Sequence, residues 1–136
     1  SYQRVIDKTD QLKLTGPLIQ RLRQFSPNVL FIGPATVLPP FSDCLRADRL
    51  TSRCGRLISI RDHRADRDLG EAVRSAGGRY VSTQARICGT NFCPAFLRGY
   101  PTRRDGIHFS RWATRALAPW VSEAIARAVD GTSSAR

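Results

Sequence analysis

Asn28-Val29-Leu30-Phe31-Ile32-Gly33-Pro34 decides the fold class of this chain. A short, unbroken apolar run closed by Gly-Pro reads as a strand buried on both faces, the kind found in parallel sheets. Upstream, Leu12, Leu14, Leu18, Ile19, Leu22 and Phe25 recur at three- and four-residue steps within 1–27, so a helix precedes the strand. Gly16-Pro17 is expected to interrupt that pattern and start a new helix. Helix, strand, then a Gly/Pro loop is the order of an α/β sheet whose strand ends at a functional edge.

Downstream, Pro34, Pro39 and Pro40 predict irregular chain over 34–63. Helical spacing returns from Arg64 to Ala76 through Leu69, Ala72 and Val73, with Gly77-Gly78 as the stop. Arg79-Tyr80-Val81-Ser82-Thr83 is β-prone and reads as the next parallel strand. Residues 85–104 form a loop, and Ser110 is placed to cap a final helix. That helix carries Trp112, Ala116, Leu117, Trp120, Val121, Ala124, Ile125 and Ala128 on one apolar face, both tryptophans being expected in the core. Pro119 should kink it or leave a carbonyl unpaired. One domain over 1–130 with a frayed tail at 131–136 accounts for the chain. Two strands are few for a doubly wound sheet, so either 56–60 hides another or the fold lacks a piece at its N-terminus.

The length of 136 residues suits a single core, and the apolar share of 41% is ordinary. No apolar run approaches the roughly 18–20 residues of a membrane span, and no signal-peptide pattern opens the chain. The formal charge of +11 would attract polyanions in a salt-dependent way. Its arginines are scattered, without a basic run or interleaved aromatics, so a solvated basic surface is favoured over nucleic-acid binding.

Four cysteines are present, Cys44, Cys54, Cys88 and Cys93. The first spacing is wrong for zinc, although His63 and His108 could in principle complete a site. Two local disulfides, Cys44 with Cys54 and Cys88 with Cys93, are the favoured reading, with other connectivities open. Disulfides imply an oxidising compartment outside the cytoplasmic membrane.

The chemistry-bearing stretch is Asp105-Gly106-Ile107-His108-Phe109-Ser110, on a loop that opens the final helix. An Asp three residues before a His can hold the imidazole in one tautomer while the other ring nitrogen takes a proton from a nucleophile. Arg103 and Arg104 stand beside it and would steer an anionic acceptor or serve as surface charge. No serine on a sharp strand-to-helix turn is evident.

Asp105-x-x-His108-x-Ser110 before an alanine-rich helix resembles the last conserved block of the SGNH (GDSL-like) hydrolase superfamily. With Phe31-Ile32-Gly33-Pro34, Pro40-Phe41-x-x-Cys44-Leu45, Cys54, and Ile87-Cys88 with Cys93, the order over 28–127 resembles one branch of it. That branch is the extracytoplasmic SGNH domain fused to acyltransferase-three membrane enzymes, which O-acylate bacterial envelope glycans. The resemblance implies a three-layer, flavodoxin-like α/β sheet, incomplete here at the N-terminus. It implies His108 as catalytic base and Asp105 as its orienting acid, with the serine in a Gly-Asp-Ser block upstream of Ser1. Gly33, at a strand end, is the candidate backbone donor to an oxyanion, whereas Asn91 reads as a turn residue. No cofactor and no metal are implied. The partners implied are an acyl donor, a cell-envelope glycan acceptor and a membrane acyltransferase domain in the same polypeptide, which would tether this domain outside the cytoplasm. A carbohydrate esterase and a non-catalytic glycan-docking module are the competing readings. A zinc or nucleic-acid module would instead require reduced cysteines.

Overall fold

The computed structural model describes residues 8–39, 42–43, 54–103 and 105–130. The first helix, α1 (Lys8–Arg23), runs straight through Gly16-Pro17. The missing N–H of Pro17 leaves the carbonyl of Lys13 without its helical donor, a loss solvent can offset on this exposed face. The inner face of α1 buries Ile19 against Val73 and Ala76, with Val29, Phe31 and Tyr80 packed around them. Its outer face carries Leu14, Leu18 and Leu22, all exposed and spaced four residues apart, with Phe25 just beyond.

The partner of α1 is α2 (Ile60–Ser75). It starts one turn earlier than the apolar spacing indicates, because Ser59 and Asp62 form a reciprocal capping box. The Ser59 hydroxyl accepts from the Asp62 N–H at 3.2 Å, and the Asp62 carboxylate accepts from the Ser59 N–H at 3.0 Å. Such a cap contributes about 1 kcal/mol. Asp62 also receives Arg56 Nη2 at 3.1 Å, which ties the helix start to the preceding strand. The helix stops where expected: Gly77 takes φ +82°, and Gly77 and Gly78 return their N–H groups to Arg74 and Val73.

Strands β1 (Leu30–Ile32) and β3 (Arg79–Val81) pair in parallel, with Phe31 opposite Tyr80. The apolar run at 28–33 and the β-prone run at 79–83 therefore hold the expected strands, each shorter than its pattern. The third strand sought at 56–60 is present as β2 (Gly55–Leu57), but it pairs antiparallel with β4 (Phe92–Pro94). The chain reaches β4 through a short helix, α3 (Thr83–Ile87). A third pair, β5 (Phe96–Leu97) with β6 (Tyr100–Pro101), is a tight antiparallel ribbon turning at Arg98 and Gly99. The fold is mixed α/β, and among the described residues its strands form three separate pairs.

The second core gathers Leu38, Cys54, Ile58, Ile87, Cys88, Cys93, Ala95 and Leu117. Cys88 and Cys93 are joined as a disulfide, which removes both thiols from metal chemistry. Cys54 is also disulfide-bonded, and Cys44, its expected partner, lies outside the described residues. So do Pro40, Phe41, Arg104 and the tail at 131–136.

The last helix, α4 (Arg111–Asp130), covers this core and passes through Pro119 unbroken. Ser110 caps it as expected, its hydroxyl accepting from the Ala113 N–H at 3.1 Å. The buried face is Ala113, Leu117, Ala124 and Ala128, with Trp120 half-buried beside it. Trp112 is a correction: it is 50% exposed and stacks on Tyr100 at 4.8 Å. The cap fixes the helical phase so that Ala113, not Trp112, faces inward. No helix among the described residues is long and apolar enough to cross a membrane.

Candidate functional site

The loop from Asp105 to His108 projects from a small backbone frame. Arg103 and Phe109 form an isolated antiparallel bridge, and the Ser110 N–H donates to the Thr102 carbonyl at 2.8 Å. These contacts bring the two ends of the loop together just before α4 begins. Inside it Gly106 adopts φ +81°, and a Cβ there would collide with the Leu38 carbonyl. Only glycine meets both conditions. The Leu38 N–H donates to the Gly106 carbonyl at 2.9 Å, so the loop after β1 and the Asp105 loop are joined backbone to backbone.

Arg103 reinforces the joint from beneath. Its side chain is buried, donates from Nη1 to the carbonyls of Thr36 and Gly106, and lies 4.8 Å from the centroid of the Phe109 ring. Its Nε and Nη2 have no hydrogen-bond partner among the described residues. Burial pushes its pKa down from the usual guanidinium value, and the nearby Asp105 carboxylate pulls it partly back.

Asp105 organises the loop. One carboxylate oxygen accepts from the backbone N–H groups of Ile107 at 3.0 Å and His108 at 2.8 Å, while the other meets His108 Nδ1 at 2.6 Å. The ring bond, then the His108 and Ile107 amides, hold the Asp105 pKa well below the usual carboxylate range. A carboxylate so placed fixes the tautomer in which Nδ1 carries hydrogen and leaves Nε2 the basic nitrogen. The side chains of His108 and Asp105 are 77% and 52% exposed, so the pair stands open to solvent. The two residues singled out in the sequence are thus brought together with base-and-orienter geometry. Among the described residues no hydroxyl or thiol is hydrogen-bonded to His108.

Gly33 is placed differently. Its N–H donates to the Val81 carbonyl at 2.9 Å and extends the β1–β3 ladder, so that donor is committed. The position requires glycine for another reason, since a Cβ there would overlap the Tyr80 ring and hydroxyl. Tyr80 reaches past Gly33 and Gly70 to donate its hydroxyl hydrogen to Asp66 at 2.6 Å. His63, expected to be solvated, places Nε2 2.7 Å from the Thr90 carbonyl and ties α2 to the disulfide loop. Asn91 accepts from the Ile58 N–H through its carbonyl and is a loop residue, as its position between the cysteines indicates. Sequence reading passed over Asp62, Gln84 and Thr36, the last two joined by a buried side-chain hydrogen bond. Asp62 was legible as the fourth residue of a Ser-x-x-Asp cap; the Thr36–Gln84 pair had no local signal.

No family model matches the chain, and no curated protein or solved structure matches it either. The labels the resemblance carried with it are corrected accordingly: SGNH, acyltransferase and membrane-associated gain no support from any match or from any membrane-crossing helix, and among those labels the disulfide alone stands.

Proposed function

We propose that Asp105 and His108 are the base-and-orienter half of a catalytic centre for O-acyl ester chemistry on hydroxyl groups of a glycan. The observation that carries this reading is the 2.6 Å contact between Asp105 and His108 Nδ1, made on a loop that leaves Nε2 facing outward. In the proposed cycle, Nε2 accepts the proton of a serine hydroxyl supplied from outside the described residues. The serine oxygen attacks the acyl carbonyl, the carbonyl reforms as the acyl-oxygen bond breaks, and the imidazolium returns its proton to the leaving alkoxide. A sugar hydroxyl, or water in the esterase version, gives its proton to the same Nε2 as it attacks the acyl-enzyme. The departing serine oxygen then takes that proton back. Asp105 stays ionised throughout and stabilises the imidazolium. The parallel β1–β3 pair and its flanking helices would belong to a three-layer flavodoxin-like sheet. The disulfide supports an extracytoplasmic setting.

The test is turnover of p-nitrophenyl acetate and acyl transfer to glycan by the full polypeptide, wild type beside His108→Ala and Asp105→Asn. Loss of both activities with an unchanged circular dichroism spectrum is expected, and full activity in His108→Ala refutes the proposal. One observation favours the competing reading of a non-catalytic glycan-docking module: the Gly33 N–H is used within the sheet and is not available to an oxyanion. That reading requires His108→Ala to weaken glycan retention and leave no turnover to lose.

A further inference from the structure

A concavity of 480 Å³ lies between the β1–β3 pair and α4, and among the described residues none of the Asp105 loop lines it. Its size falls within the range of ordinary small-molecule sites. Its construction follows from the alternation of β3. Tyr80 points toward α2 and Asp66, so Arg79 and Val81 point to the other face, toward α4. Arg79 confirms this by donating Nη1 to the Arg127 carbonyl at 2.7 Å. Ala85, Ala124 and Ala128 line the groove with short side chains and keep it open, and Trp120 forms one wall.

The electrostatics are one-sided. Arg79, Arg86 and Arg127 all line the groove, and among the described residues no carboxylate does. Arg127 pairs with Glu123 at 2.7 Å, an acid one turn back along α4 and outside the lining. Arg86 makes no ion pair among the described residues, and Arg79 commits its Nη1 to the Arg127 carbonyl. The Ser82 hydroxyl accepts from the Ala85 N–H at 2.8 Å, and its O–H has no acceptor among the described residues. Arg79 and Arg86 thus bring positive charge to the lining with no acidic partner among the described residues, and guanidinium forks match phosphate oxygens.

We propose that this groove binds a phosphate monoester of sugar size, with the phosphate between Arg79 and Arg86 beside the Ser82 hydroxyl and the sugar against Trp120. The charge arrangement supplies the phosphate site. The half-buried indole and the alanines beside it supply the apolar surface that a sugar ring's C–H face requires. This inference does not rest on the Asp105–His108 reading and stands or falls separately.

Trp120 is itself the reporter, once Trp112→Phe has removed the other tryptophan. Glucose-6-phosphate, inorganic phosphate and glucose are titrated against the fluorescence of that variant. Saturable quenching by glucose-6-phosphate is expected, with weaker binding of inorganic phosphate and none of glucose. Arg86→Gln should weaken the sugar phosphate about tenfold, as for loss of one charge-assisted hydrogen bond, while Arg61→Gln on α2 changes the net charge equally and leaves affinity intact. Absence of saturation overturns the proposal, as do equal losses in the two variants. Inorganic phosphate binding as tightly as the ester would eliminate the sugar subsite. An oligonucleotide that competes equally well in wild type and Arg86→Gln would show a diffuse polyanion surface instead.

Discussion

Replacing Gly33 with alanine separates two roles that the position could play. The substitution keeps the backbone N–H, so the bond to the Val81 carbonyl survives if the strand holds its place. What it adds is a methyl group 2.6 Å from Tyr80 Cζ and in overlap with the hydroxyl. Tyr80 cannot simply withdraw, because its other edge lies against Gly70 on α2, where a Cβ would stand 2.8 Å from Cδ1. Overpacking of this kind costs about 1–3 kcal/mol. Moving the ring also separates the hydroxyl from Asp66, and a hydrogen bond to a charged acceptor contributes about 1.5–3 kcal/mol. Together the loss is about 2.5–6 kcal/mol. At about 2.1 cal/mol/K per residue, the unfolding entropy of a 136-residue chain is about 0.29 kcal/mol/K, so Tm should fall by about 9–21 °C. Urea unfolding and calorimetry of Gly33→Ala, Tyr80→Leu and the double variant measure this. In the Tyr80→Leu background the alanine should cost less than about 1 kcal/mol, because its obstacle has gone. A loss below about 1 kcal/mol in the wild-type background, or additive losses in the double variant, would refute the packing argument.

Replacing Cys88 and Cys93 by serine opens a small loop whose sequence separation is 5, for which the chain-entropy model gives a loss of about 2 kcal/mol, readable as a shift in the urea midpoint. The carboxyl carbon of Asp105, followed by NMR, should titrate well below the usual value of about 3.9. Its folded pKa being depressed, whatever stability it contributes is present above the unfolded pKa and disappears as pH falls through the folded one; a normal midpoint would break the Asp105–His108 assignment. Arg103→Met should loosen the joint between the Leu38 and Gly106 loops, raising amide exchange at Leu38 and His108 about ten- to a hundredfold, with unchanged exchange counting against the clamp.

The parts of this fold that were legible in the sequence are those where a local pattern and its packing agree. The run before Gly33, the Gly77-Gly78 stop and the Ser110 cap each became what their residue types dictate, because apolar burial, left-handed backbone and side-chain capping are decided within a few residues. Where a second, nonlocal term entered, the pattern misled. Gly16-Pro17 looked like a break, yet the buried contact of Ile19 with Val73 sits one turn away and holds α1 continuous. Trp112 looked like core by size, but its phase relative to the cap turned it outward onto Tyr100. Strand β2 was sought at 56–60 only because two strands are few for a sheet, and its antiparallel partner depended on where the Cys88–Cys93 loop returns, which no local rule encodes. At the candidate site, the Asp-x-x-His spacing was sufficient to place both side chains together. The contribution of Arg103 required the three-dimensional joint with Thr36, distant in sequence.

The leucine ridge of α1 has a consequence for how the protein behaves in bulk. Leu14, Leu18, Leu22 and Phe25 face outward on a molecule of formal charge +11. Molecules that would otherwise meet ridge to ridge are kept dispersed by mutual repulsion, over a screening distance of about 8 Å at physiological ionic strength. At 1 M salt that distance shrinks to about 3 Å, while apolar attraction is not weakened. Colloidal stability therefore runs opposite to the usual salting-in of weakly charged proteins: dilute buffer disperses this molecule, and concentrated salt lets it self-associate through the ridge.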